Sequence, residues 1–434
     1  MAVFTEKNKT VLCFLCCFIS VFQTFASDTL RMMQYNLMYY TLSAPSDCAV
    51  SENYLTNKEI HLKKIVQYVK PDVVCVNEIG SRQTYIDRIL NNVFNSDGIT
   101  HFSACPLTNY SGGSIANMLY YDDRKLSFHS HFYITTSYRD INAYRMYYKS
   151  KELAQGDTVF ITFIIAHLAA GNNVNSENSR ETQTLQLMGR LEQLGKADNY
   201  IFSGDFNLYG ASEKAYQTLL YYPNSLFQFI DPIDREGEWH YNRSFSDIHT
   251  QSTHTYSDEG ECFASGGMDD RFDFILVSSY IFYGLKGVQS MNRSYHALGQ
   301  DGNRFRNTIV APANQIVPQE IANALYNISD HLPVILDFEI TASPLSVDFH
   351  TTDYHVEVNN PVHDELKIFL YLDKTKRLQM ELYSIEGKLL ETFTEEFPSG
   401  HTTFTKPFPY SSGLYLFVVT DYQKNRIVKK VVNE

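Results

Sequence analysis

Positive charge is scarce in this 434-residue chain: 36 Lys and Arg stand against 49 Asp and Glu, for a formal net charge of −13. A protein that coats nucleic acid regardless of sequence relies on Lys and Arg against phosphates, so that role is disfavoured. An enzyme that meets phosphate only in one local, metal-neutralised site is not. Tryptophan occurs once, beside 31 Tyr and 29 Phe, an aromatic supply that suits strands better than a helical bundle. With 44% hydrophobic and 20% charged residues the chain is not mainly disordered. Its length allows roughly two to four domains with sizeable cores.

Long apolar runs are also missing beyond the first residues. Lys7 and Lys9 precede a mostly apolar stretch, Val11 to Phe22, too short to span a bilayer. Thr24-Phe25-Ala26 then offers small residues for cleavage, so residues 1–26 read as a secretory signal. An uncleaved anchor is the alternative that the length disfavours, and Phe14-Leu15 is a poor lipidation signal before Cys16. Four cysteines remain after cleavage: Cys48, Cys75, Cys105 and Cys262. Export permits disulfides, and Cys48 with Cys105 is a candidate bridge; Cys75, inside an apolar run, reads as a buried thiol. None of these four has a spacing to Cys or His that suggests zinc.

Runs from Leu30 to Met38, Val73 to Val76, Val159 to Ala166, Tyr200 to Ser203, Phe272 to Val277 and Pro333 to Ile340 read as strands, several apolar nearly throughout and so buried on both faces. Helical spacing lies between them, in Leu62, Ile65, Val66 and Val69, in Tyr85, Ile86, Ile89, Leu90 and Val93, and in Leu185, Met188, Leu191 and Leu194. Strands alternating with helices indicate α/β layers. From residue 345 the texture changes to alternating strand patterns, such as Leu378 to Ser384 and Leu414 to Thr420, with turns at Glu386-Gly387, Ser399-Gly400 and Ser411-Ser412-Gly413. A small separate β-sandwich is expected there.

The polar residues on the strands are not scattered. Asn36, Glu78, His167 and Asp205 each close an apolar run, whereas Asp273 opens one and Asp330-His331 precedes another. If the last two strands run antiparallel to the others, all these groups meet at one rim. A mixed sheet and a single shared site follow. Carboxylates gathered so closely need a positive partner, and oxygen donors select Mg²⁺, Mn²⁺ or Ca²⁺. A remaining carboxylate can take a proton from water, and imidazoles can donate to a charged oxygen, which suits attack by water on a phosphodiester. Singly, each residue has a bland reading as a loop, cap or core group; the conjunction is what points to chemistry.

The segments Met33-Gln34-Tyr35-Asn36, Pro71 to Glu78, Ala166-His167-Leu168, Ser203-Gly204-Asp205-Phe206-Asn207, Arg271-Phe272-Asp273 and Ser329-Asp330-His331-Leu332-Pro333 occur in that order. This series resembles the motifs of the endonuclease/exonuclease/phosphatase superfamily, the deoxyribonuclease-I-like fold, over about Asp28 to Ile340. The resemblance implies a four-layer α/β sandwich, two mixed β-sheets flanked by helices, as the catalytic domain of residues 28–340. By motif, Glu78 resembles the principal metal ligand, with Asn36 beside the ion and Asp330 as a further metal-side carboxylate. Asp205 resembles the group that aligns or deprotonates water, and Asn207 the side chain that steadies the phosphoryl group. His331 resembles the histidine on a non-bridging or leaving oxygen, with Asp273 orienting it, and His167 the second active-site histidine. Arg139 sits where some members place a phosphate-contacting arginine; a surface ion pair with Asp140 is the alternative. Tyr120 and Tyr121 either line the groove or pack in a strand. Asn77 stands where Gln is frequent, a minor departure.

The tail resembles a second family. Asn360-Pro361-Val362, Glu381 to Lys388, Ser412-Gly413-Leu414-Tyr415 and Lys429-Lys430-Val431-Val432 look like a type IX secretion sorting domain, an Ig-like all-β sandwich over 358–434 behind a linker at 341–357. It implies the type IX secretion machinery as a partner and a secreted or cell-surface location; the alternative is a β-sandwich that binds carbohydrate or a partner. No stable membrane span and a monomeric chain are expected. Within the first family the fold leaves the substrate open. The stretch from Ile281 to Ile328, with Lys286, Arg293, Arg304 and Arg306 against Asp301 and Glu320, suggests a local cationic loop for a phosphate backbone. No aromatic or aliphatic hairpin tip for membrane insertion is evident. The expectation is a secreted, Mg²⁺-dependent nuclease acting on DNA or RNA, with a sphingomyelinase-like or inositol-phosphate hydrolase as the alternative. A non-catalytic adhesin would lack a ligand or a histidine, and none is missing.

Overall fold

A computed structural model describes residues 27–40, 52–150, 158–256, 263–284, 286–341, 354–359, 361–384, 388–422 and 426–433. The expected signal segment, Cys48, Cys262 and the turn at Glu386-Gly387 lie outside these residues. In chain order the first unit runs β1 (Ser27–Tyr40), α1 (Glu52–Val69), β2 (Val73–Gly80), α2 (Gln83–Ile89), β3 (Phe102–Ala104), β4 (Ile115–Asp122), β5 (Leu126–Ile134), β6 (Ile141–Tyr148) and β7 (Phe160–His167). It continues through α3 (Val174–Leu194), β8 (Tyr200–Asp205), α4 (Lys214–Leu220), β9 (Phe229–Ile230), β10 (Asp273–Ser278), α5 (Ser279–Phe282), β11 (Val288–Ser290), β12 (His296–Ala297), α6 (Gln319–Ile328) and β13 (Val334–Thr341).

Two mixed sheets result. One has the order β11-β13-β1-β2-β4-β3, with β12 also on β13; the other is β5-β6-β7-β8-β10-β9. In the first, β1 and β2 are parallel and β13 and β4 antiparallel to them. In the second, β7 and β8 are parallel and β10 antiparallel. The sheets pack face to face, which explains why the strands are apolar almost throughout. On β7, Ile161, Phe163 and Ile165 join the inter-sheet core while Ile164 and Ala166 join the core under α3 and α4. On β10, Ile275 and Val277 face inward and Phe274 and Leu276 outward in the same way. Helices α1 and α6 cover the other sheet. This is the expected four-layer sandwich.

One detail differs from the sequence reading. The buried face of α3 is Thr184, Leu187, Met188 and Leu191, whereas Leu185 and Leu194 are exposed. Thr184 takes the inward position because its hydroxyl donates to the Glu181 carbonyl, which spares the core an unpaired polar group. Among the described residues Cys105 is a buried free thiol, 3.7 Å from the Met146 sulfur, and its candidate partner Cys48 lies outside them; Cys75 is also free and buried, as expected.

The C-terminal unit is all-β, with sheets β14-β15-β18 and β17-β16-β19-β20 formed by β14 (Tyr354–Val358), β15 (Glu365–Leu372), β16 (Lys376–Ser384), β17 (Leu389–Phe397), β18 (Gly400–Pro407), β19 (Gly413–Asp421) and β20 (Arg426–Asn433). It has its own core, including Val356, Ile368, Met380 and Phe417. Its first strand starts at Tyr354, inside the stretch expected as linker, because Tyr354 and Val356 are buried against β15. Among the described residues no helix is long and apolar enough to cross a membrane.

Candidate active site

The antiparallel placement of β10 and β13 brings the polar strand ends to one rim. His167 pairs with Asp205 across β7 and β8, and Asp273 pairs with Asp205 across β10 and β8. Asn36 pairs with Asn77, next to Glu78. Gly204 makes the close approach possible: it has φ +150°, and a Cβ there would lie 1.7 Å from the Ala166 carbonyl oxygen. Four non-glycine residues at the rim, Met38, Tyr39, Glu78 and Asn207, have φ between +45° and +57°. Such left-handed backbone concentrates where the surroundings over-determine it.

The side chains meet. Asn36 Nδ2 donates to Glu78 Oε1 (3.0 Å) and Asp205 Oδ2 (2.9 Å). His167 Nε2 lies 3.5 Å from Asp205 Oδ2 and 3.7 Å from Glu78 Oε1. His331 Nε2 faces Asp205 Oδ2 at 3.6 Å, and its Nδ1 lies 2.7 Å from Asp273 Oδ2. The Asn207 backbone N–H donates to Asp205 Oδ1 (3.1 Å) and its side chain to the Leu168 carbonyl (3.4 Å). The strand ends at Asp205, so Asn207 reaches its place through a left-handed turn and not through an extended i, i+2 relation.

Burial sets the electrostatics. It raises the Glu78 carboxyl against help from Asn36, and it raises Asp205 to about 7, with His331 opposing and Asp273 and Glu78 adding to the rise. Burial, Arg139 and His331 keep the His167 ring well below the usual imidazole range. For His331 burial works against charge, but Asp273, Asp205 and Asp330 outweigh it and hold the ring well above that range. Glu78, His167 and Asp205 each offer a ligand atom within 4.8 Å of the others. Two carboxylates that resist ionisation side by side are a donor set that a dication would relieve, so these residues fit a metal ion.

Several placements correct the sequence reading. Asn36 turns its NH₂ to the carboxylates while its oxygen accepts from the Met38 N–H (2.9 Å), so it bridges them as a donor and does not present a ligand oxygen. Asp330 stands outside the three-residue cluster; its Oδ2 accepts from Ala264 N–H (2.8 Å) and Gln251 (3.3 Å). Tyr120 lines no groove. It is fully buried, stacked on Phe94 at 4.7 Å, because its strand face points into the core. Tyr121 is buried too. Arg139 does not pair with Asp140; it donates to the His167 and Leu168 carbonyls (3.1 and 3.0 Å), which sets its charge beside the site. In the expected cationic loop, Arg304 is buried on Asp301 and Lys286 is tied to Asp198, leaving Arg293 and Arg306 exposed.

Three further residues shape the site without a role assigned to them from sequence. Gln251 Nε2 lies 2.8 Å from His331 Nε2; nothing in its sequence neighbourhood signals this. Asn77 is a hub below the rim: its Oδ1 accepts from Gln34 (2.5 Å) and the Asp205 N–H (3.1 Å), and its NH₂ donates to Asn117 (2.7 Å) and the Ala166 carbonyl (3.2 Å). Buried Lys58 donates to the Leu37 and Met38 carbonyls and holds the turn after Asn36. A lone Lys among helix apolar positions was the available signal.

No family model and no curated protein matches this chain. Among solved structures it is similar to an endonuclease/exonuclease/phosphatase from Bacteroides vulgatus, at 15% identity and TM-score 0.45 over 72% of this chain and 99% of that one. It is also similar to D. rerio TDP2 complexed with single strand DNA product, at 16% identity and TM-score 0.44 over 71% and 98%. The human Nocturnin catalytic domain with bound sulfate anion matches at 14% identity and TM-score 0.42, over 73% and 98%.

Proposed function

We propose that this protein is a divalent-metal-dependent phosphodiesterase acting on nucleic acid. One observation carries the reading: Glu78, Asp205 and His167 converge at a rim where the Asp273–His331 pair also points. Glu78, beside Asp205 and His167, would hold Mg²⁺ or Mn²⁺, and the ion would neutralise phosphoryl oxygens. Asp205, kept ionised beside the bound ion, would accept a proton from the attacking water. His331, charged and oriented by Asp273, donates to a phosphoryl or leaving oxygen as the P–O bond breaks and water's oxygen bonds to phosphorus. Neutral His167 adds a donor without adding charge, and Arg139 sits behind it. The Asn207 backbone N–H holds Asp205 in line.

The amino-terminal sequence and the tail support export: we infer a secreted chain whose C-terminal sandwich serves as a type IX sorting module. Deleting 358–434 should leave the protein inside a bacterium that has this machinery and release none to the medium.

The deciding experiment is an activity panel of plasmid, single-stranded DNA, RNA, sphingomyelin vesicles and inositol phosphates, with Mg²⁺ or Mn²⁺ and with chelator. Chelator-sensitive cleavage of DNA or RNA is expected. Intact nucleic acid beside hydrolysed lipid or inositol phosphate would replace the reading with the lipid or inositol alternative.

A further inference from the structure

Two exposed tyrosines stack on each other beside the catalytic rim. The ring centroids of Tyr110 and Tyr133 are 4.0 Å apart with planes 16° from parallel. They are 62% and 38% exposed, and Tyr138 close by in sequence is 49% exposed. A pair that stacks in water still has an outer π-face to offer a further ring.

Tyr110 sits in the loop before β4 and Tyr133 near the end of β5; the Tyr110 loop and the loop after β5, which holds Tyr138, are both bonded to the site's segments. The Asp140 carboxylate accepts from the Tyr110 and Ser111 backbone N–H groups and the Ser111 hydroxyl. Thr136 Oγ1 accepts from the Tyr138 and Arg139 N–H groups and donates to the Arg139 carbonyl. Ser81, just beyond Glu78, donates its backbone N–H to the Ser114 carbonyl (3.0 Å) and its hydroxyl to the Gly113 carbonyl (2.8 Å). Arg139 donates to the His167 carbonyl. The Tyr110 loop is thus bonded to the segment after Glu78, and the Tyr138 loop to the end of the His167 strand.

The segments that carry the pair hold few carboxylates. No Asp or Glu occurs between Gly98 and Tyr121 or between Arg124 and Arg139, although the whole chain carries −13. The next carboxylate, Asp140, is taken up by the Tyr110 loop.

We propose that Tyr110 and Tyr133 form a stacking platform for an unpaired nucleobase next to the scissile phosphodiester, and that the substrate is single-stranded nucleic acid. This rests on the phosphodiesterase reading above. Paired bases already hide their faces in the duplex stack, so the platform favours single strands. Base–aromatic stacking is sequence-tolerant, since every base has a π-face.

The test uses the full chain with Mn²⁺ and three oligonucleotides: a single strand, the matching duplex, and a single strand with abasic sites flanking the cleaved linkage. Tyr110→Ala and Tyr133→Ala should each raise KM for the single strand by about 10-fold, with kcat little changed. Wild type should show a similar KM rise on the abasic strand, where the variants lose nothing further. Tyr110→Phe, which keeps the ring, should behave as wild type, and unchanged melting temperatures separate recognition from folding. Unchanged KM in both Ala variants, or equal losses on abasic and normal strands, overturns the platform alone. A wild-type protein that cleaves no nucleic acid overturns the phosphodiesterase reading with it. A dimer that dissociates in Tyr110→Ala with KM unaltered assigns the pair to self-association and also overturns the proposal.

Discussion

His331 Nδ1 lies 2.7 Å from Asp273 Oδ2, and both groups are buried. Asp273 sits opposite Asp205 in the β8–β10 register, so one strand pair aligns the carboxylate that holds His331 and the proposed base. Asp273→Asn should lower kcat by about 10²- to 10⁴-fold, the range typical of general acid–base contributions. The sign of the pH effect follows from charge. Asp273 helps hold the His331 pKa well above its ordinary value, so its loss lowers that pKa. The basic limb of the pH–rate profile should then move to lower pH. A profile with an unshifted basic limb would remove His331 from the proton inventory.

Gln251 touches His331 Nε2 at 2.8 Å and Asp330 Oδ2 at 3.3 Å. Its NH₂ donates to the Asp330 carboxylate and not to the protonated His331 ring, which has no lone pair to accept it; a hydrogen bond to a carboxylate contributes about 1.5–3 kcal/mol. Gln251→Ala should reduce kcat/KM by roughly 10- to 150-fold, with circular dichroism unchanged. Wild-type kinetics in this variant would make Gln251 a bystander.

The rim was legible in the sequence because strand ends carry a direction. Asp273 opens an apolar run where Asp205 closes one, and that asymmetry is visible without coordinates. What stayed hidden depends on rotation and on loops. Tyr120 alternates with Leu119 along a strand buried on both faces, so its polarity could not say which way it pointed. Gln251 lies outside any named strand, in an isolated bridge to Asp270 and His331 that long-range packing creates. In sequence Asn77 reads as a neutral swap for Gln, yet four hydrogen bonds converge on it.

Tyr120 tests the corrected placement. Its ring stacks on Phe94 in a closed core, and its hydroxyl reaches the Ile86 carbonyl at 3.4 Å. Tyr120→Ala should destabilise the fold by about 3–5 kcal/mol, as large aromatic truncations do. Tyr120→Phe should leave KM unchanged. A raised KM in Tyr120→Phe with a normal melt would return the residue to the groove.

His401 on β18 gives the C-terminal unit an acid limit. Both ring nitrogens are buried with no hydrogen-bond partner among the described residues, beside Tyr371 at 4.9 Å. Burial, with His355 nearby, lowers its pKa to about 4. The unfolded chain takes up this proton first, so stability is full above about pH 6.5 and falls as pH drops toward 4. The expected loss at pH 4 is on the order of 3 kcal/mol. His401→Phe should flatten this limb in denaturant titrations at pH 7, 5.5 and 4. A limb of equal depth in the variant would place the proton elsewhere.

Protons and a dication compete for Glu78 and Asp205. Burial raises both carboxyls, so in the cation-free protein they favour the folded state only while protonated. That stability is present at low pH and lost as pH rises through about 7, the value for Asp205. A cation bound by the ionised pair restores it, by about 2.7 kcal/mol at a hundred times Kd. The Mg²⁺-induced rise in Tm should therefore be larger at pH 8 than at pH 5. Glu78→Gln removes one charge of the pair and should abolish most of the rise at pH 8. An equal rise at both pH values, or one that survives Glu78→Gln, would mean that Mg²⁺ stabilises the protein from another place.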